Sequence, residues 1–62
     1  MKSSEEIFQE MKELWTTFEE NHERFVSKKV KAAGVRSRKA INELKKLAST
    51  YRKQCLAESK EL

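Results

Sequence analysis

The chain has 62 residues, 39% of them charged, with one cysteine and a formal net charge of +4. A chain this short offsets its conformational entropy only marginally, so it forms one domain at most and needs a staple or a second copy. A lone cysteine excludes an internal disulfide, and no CxxC or Cys/His cluster suggests a metal, which leaves oligomerisation as the support.

Ser3-Ser4-Glu5-Glu6 opens the first predicted helix. Ser3 followed by Glu6 fits a capping box, in which hydroxyl and carboxylate each satisfy a free backbone N–H. Ser4 is an alternative cap. Ile7, Met11, Leu14, Phe18 and Phe25 then recur at spacings of three and four, apart from a polar gap at Asn21. Phe8, Trp15 and His22 form a second row beside them. Together they make a stripe roughly 120° wide, broader than a two-helix seam requires. A stripe that wide contacts two neighbours, which favours a four-helix assembly. The spacing places the aromatic residues in a core rather than on a base-stacking platform.

The first helix is expected over about residues 4–27 and the second over about 29–59, within a single domain spanning residues 1–62. No proline or glycine marks the break. It is signalled by a change of charge and a possible cap at Ser27; a break at Gly34 capped by Ser37 is the alternative. Packing favours the earlier break. Val30, Gly34, Ser37 and Ile41, with Ala33 and Ala40 beside them, extend the seam of Leu44, Leu47, Ala48, Tyr51 and Cys55 backwards. Gly34 inside a helix costs about 1 kcal/mol relative to alanine, so a close helix approach or a nearby phosphate should offset it.

Charge is divided between the two halves. Up to Val26, three Lys or Arg stand against seven Glu, a net −4; from Ser27 onward, eleven stand against three, a net +8. Such a split points to a polyanionic partner. Lys31, Arg38, Lys45 and Arg52 lie seven apart, and Lys39, Lys46 and Lys53 repeat the interval one position on. Seven residues is close to two helical turns, so each row runs along the helix and both are expected to form one ridge. Its span of about 31 Å approaches the roughly 34 Å pitch of duplex DNA. Glu43 is the single acid between Lys31 and Lys53. Lys28, Lys29 and Arg36 are further candidates, with Glu19 or Glu23 as possible partners for Arg36.

Other chemistries fit poorly. His22 and Cys55 fall near opposite ends of a hairpin, about 30 Å apart, whereas a Cys–His dyad needs contact near 3 Å. No Gly-rich phosphate loop, HExxH or catalytic serine context is present. No apolar run approaches the roughly 18 residues of a membrane span. The aromatic helix is acidic, so anionic lipids would repel it. The N-terminus lacks the apolar core of a secretion signal, and with a free thiol this points to the cytoplasm.

From Lys31 to Lys53, KAAGVRSRKAINELKKLASTYRK resembles the bacterial linker-histone-like proteins, the chlamydial nucleoid-condensing histones and their relatives. The resemblance lies in Lys31-Ala32-Ala33, Arg36 and Arg38, Lys39-Ala40, Glu43-Leu44, Leu47-Ala48 and Tyr51-Arg52-Lys53. It covers a third to a half of the chain; the first helix matches only in being amphipathic. It implies a small helical DNA-binding protein that compacts the bacterial nucleoid with little sequence preference. Members carry a long lysine- and alanine-rich tail, expected to supply much of the DNA affinity, and this sequence stops at Leu62 without one. Members also tend to have glycine and asparagine at the turn, where this chain has Lys28-Lys29-Val30.

The expectation is therefore an all-α antiparallel two-helix hairpin that dimerises into a four-helix bundle. It should bind the phosphate backbone of double-stranded DNA through Lys28, Lys29, Lys31, Arg36, Arg38, Lys39, Lys45, Lys46, Arg52 and Lys53. No enzyme activity, cofactor, metal, membrane or small-molecule substrate is expected. The residues leave open duplex against single strand and DNA against RNA. The rival reading is a coiled-coil adaptor whose basic face docks an acidic protein or stays hydrated.

Overall fold

A computed structural model describes residues 2–62. Helix α1 spans Ser4–Lys28 and helix α2 spans Lys31–Ser59, and the two pack against each other. Ser4 meets Glu58 at one end and Asn21 meets Arg36 towards the other, so the helices run antiparallel. The molecule measures 48 × 15 × 14 Å.

The start of α1 follows from its first residues. Ser3 Oγ accepts from the Glu6 N–H at 3.2 Å, and the Ser3 N–H donates to the Glu6 carboxylate at 3.3 Å. This capping box satisfies two donors that a bare helix end leaves open, and such a cap contributes about 1 kcal/mol. Ser4 has another task. Its N–H donates to Glu58 at 2.8 Å and its hydroxyl donates to the same carboxylate. Gln54 donates to Glu58 as well, at 2.9 Å. The Ser4 hydroxyl first, then Gln54 and the Ser4 N–H, hold Glu58 below the ordinary carboxylate range.

The chain reverses at Lys29 and Val30. Lys29 adopts the left-handed conformation, φ 58° and ψ 36°, and Val30 returns to extended geometry before α2 begins. No Ser27 cap forms: Ser27 lies inside α1, and Val30 opens α2 without a side-chain cap. A left-handed residue closes the turn so tightly that no capping loop is needed. Gly34 and Ser37 sit inside α2, where the Ser37 hydroxyl donates back to the Gly34 carbonyl at 2.9 Å.

Small residues set the helix separation near the turn. Ala33, Gly34, Ser37 and Ala40 are buried. A Cβ on Gly34 would fall 2.8 Å from the Phe25 ring, so the missing methyl is what admits the ring. That close approach offsets the glycine's unfavourable helix propensity. The seam is nevertheless rotated from the expected one. Val30 and Ile41 are 38% and 37% exposed, and the buried line passes through Ala33 and Ala40 instead.

The aromatic residues correct a second expectation. Phe8, Trp15 and Phe25 are 47%, 48% and 44% exposed rather than core. One neighbouring helix covers only part of a stripe this wide, and α2 takes the line through Ile7 and Asn21. Asn21 is thus a buried polar lock. Its Nδ2 donates to the Thr17 carbonyl at 2.8 Å, and its Oδ1 accepts from Arg36 Nε at 2.8 Å. Arg36 reaches Asn21, not the Glu19 or Glu23 expected for it.

Candidate nucleic-acid interface

Successive residues of a helix are about 100° apart, so two rows offset by one residue cannot form a single crest. On α2 they form two rails. Lys31, Arg38, Lys45 and Arg52 make one; Lys39, Lys46 and Lys53 make the other. Between them runs the outermost line of the helix, Val35, Asn42, Ser49 and Leu56, of which Leu56 is 61% exposed. Arg52 and Lys53 flank a shallow groove floored by Ser49 and Leu56. The expected ridge is thus a pair of cationic edges along the outward back of α2.

All ten candidate cations are exposed. Among the described residues, the ion pair within 4 Å joins Lys2 to Glu10, and none of the ten takes part in one. The rails differ in surroundings. Lys46 shares a groove with Glu10, Glu13 and Glu43, and Lys53 lines another with Glu10. The Arg38 rail runs along the opposite flank, beside Gly34, Ile41, Ala48 and Cys55.

Lys28, Lys29 and Lys31 gather at the turn. Lys28 sits in the last turn of α1, where the helix dipole favours a cation. Lys31 sits at the start of α2, where no acid and no side-chain cap meet the exposed N–H groups. A cation there is disfavoured by a few tenths of a kcal/mol to about 1 kcal/mol. Folding alone therefore gives no reason for it. The structure separates Arg36 from both rails, because its Nε is engaged by Asn21 beside Glu43. The reading from spacing missed this partnership; the signal was a polar residue standing at a seam position.

Nucleophilic chemistry gains no partner. His22 stacks on Phe18, with ring centroids 5.9 Å apart, near the turn. Cys55 lies beside Tyr51 near the open end, and the negative charge that thiol can carry is the largest of the effects raising the Tyr51 phenol's pKa. Among the described residues, no helix is long and apolar enough to cross a membrane.

Among curated proteins and solved structures, none matches this chain at a significant level. The family of the histone H1-like protein Hc1 does match, over residues 5–61, and so takes in α1 as well as the basic stretch that carried the resemblance. With nearly the whole hairpin inside that match, the chain belongs to the histone H1-like Hc1 family.

Proposed function

We propose that the hairpin binds duplex DNA without sequence preference and serves nucleoid compaction, with the back of α2 against the phosphates. One observation carries this reading: seven exposed cations stand in two parallel rails on one helix, with no carboxylate within 4 Å of any of them. A helix with its side chains is about 10–12 Å across, comparable to the roughly 12 Å major groove, so the rails can meet phosphates on both of its edges. The turn lysines extend the contact at one end. Val35, Asn42, Ser49 and Leu56 between the rails form no polar cluster suited to reading bases, so backbone contacts dominate.

Counterion release makes this binding steeply salt-dependent. Each neutralised phosphate adds about −0.9 to the slope of log affinity against log salt. Four to seven contacts give a slope between about −4 and −6. A gel shift with random duplex DNA, titrated at several salt concentrations, measures it. A shift absent even at low salt assigns the basic face to hydration or to an acidic protein instead.

A further inference from the structure

Of the four side chains on the outermost line of α2, between the rails, only Ser49 carries a hydroxyl. It is exposed and lines a shallow groove with Arg52, Lys53 and Leu56. The hydroxyls of Ser37, Thr50 and Ser59 donate back to the carbonyls of Gly34, Lys46 and Cys55, whereas Ser49 Oγ, among the described residues, donates to none.

Four cations surround that hydroxyl. Lys45 and Lys46 precede Ser49 by four and three residues, and Arg52 and Lys53 follow it by three and four. On a helix these offsets share a face, with Cβ atoms about 5–6 Å apart. Ser49 thus stands at the centre of a quadrilateral built from both rails. Among the described residues, no carboxylate lies within 4 Å of any of the four cationic groups.

We infer that Ser49 is a phosphorylation site, the acceptor for a serine kinase that selects basic residues, and that its modification switches off the back of α2. The acceptor role stands by itself; the switch rests on the DNA reading above.

The transfer is a simple displacement. Ser49 Oγ attacks the γ-phosphorus of ATP held by the kinase. The Oγ–P bond forms as the bond from that phosphorus to the bridging oxygen breaks, ADP leaves, and the hydroxyl proton passes to the kinase's carboxylate base. Lys45-Lys46 on one side and Arg52-Lys53 on the other suit an acidic substrate cleft.

Such a cleft takes its acceptor segment unwound, so α2 has to open around Ser49. Its packing permits this. The buried residues of α2, Ala33, Gly34, Ser37 and Ala40, all lie in its first half. From Ile41 onward every side chain is exposed or half-buried. Segments with few buried contacts open at low free energy.

A phosphoserine carries about −1.5 to −2 charge and three strong acceptor oxygens. At the centre of the quadrilateral it draws about two of the four cations into charge-assisted hydrogen bonds and competes there with DNA phosphates. Thr50 provides the contrast. It lines the groove that Lys53 shares with Glu10, so a phosphate there meets an acid as well as a cation.

Two measurements test the inference. First, the full chain and Ser49→Ala are treated with a basic-directed serine kinase and labelled ATP. Label is expected at residue 49 and is expected to be lost in Ser49→Ala. No incorporation, or undiminished incorporation in Ser49→Ala, overturns the acceptor site. Second, chains synthesised with phosphoserine at position 49 or phosphothreonine at position 50 are compared with the unmodified chain in gel shifts on random duplex DNA. Phosphate at 49 is expected to weaken low-salt binding by about tenfold or more and to make the salt slope shallower by about 2, with helicity unchanged. Phosphate at 50 is expected to weaken it less. Unchanged affinity at 49, or an equal loss at 50, overturns the switch while the DNA reading stands. An unmodified chain that fails to bind at low salt overturns both.

Discussion

The two helices share one seam pattern and present opposite backs. On α1 the outward rows carry Glu6, Glu13 and Glu20; on α2 they carry Lys39, Lys46 and Lys53 with the Arg38 rail. The seam must satisfy packing, so its residues report the fold. Among the described residues none of these charges forms an ion pair within 4 Å, so packing does not dictate their sign, which suits a partner outside the chain. An acidic back on one helix and a cationic back on the other would serve a hairpin that approaches a polyanion edge-on, with its acidic side turned away.

Charge reversal gives the largest expected effect on that contrast. Arg38→Glu with Lys45→Glu should weaken duplex binding by roughly 100-fold or more in a low-salt gel shift, with helicity unchanged. The mirror change, Glu13→Lys with Glu20→Lys on α1, should leave binding equal or tighter. Equal losses from both pairs would mean that the whole surface, not the back of α2, meets DNA.

A smaller effect lies at the joint between the helices. Lys29 holds φ 58°, a conformation glycine adopts without strain. Lys29→Gly should raise stability by about 0.5–1 kcal/mol, several degrees in melting temperature, while removing at most one phosphate contact. A lower melting temperature would mean that the lysine side chain itself stabilises the turn.

The smallest effect tests how α2 holds the start of α1. Hydrogen bonds from Ser4 and Gln54 depress the folded pKa of Glu58. A depressed carboxylate stabilises the fold above its unfolded pKa, about 4.3, and that contribution is lost as pH falls through the folded value. Melting temperature should therefore drop on acidification below about pH 4 more steeply in the wild type than in Glu58→Gln, with the two curves converging. Parallel curves would show that the Ser4–Glu58 contact carries no pH dependence.

Much of this was legible from spacing. The capping box at Ser3 and Glu6, the seven-residue interval of the cations and the small residues around Gly34 each follow from local chemistry. What escaped was rotation about the helix axis. A shift of one residue turns a side chain by about 100°, enough to carry Ile41 and Trp15 from a seam to its edge and to split one ridge into two rails. Asn21 escaped for a related reason: a polar residue in an apolar register reads as a gap until Arg36 is seen across it.

Periodicity and charge order, which depend on neighbours within two turns, determined by themselves that the chain forms two amphipathic helices of opposite sign. Tertiary structure alone decided which arc of each stripe is covered. Two helices touch along one narrow line, and the position of that line depends on how closely the Gly34 backbone admits the Phe25 ring. Phe8, Trp15 and Ile41 fall outside the covered arc and face outward.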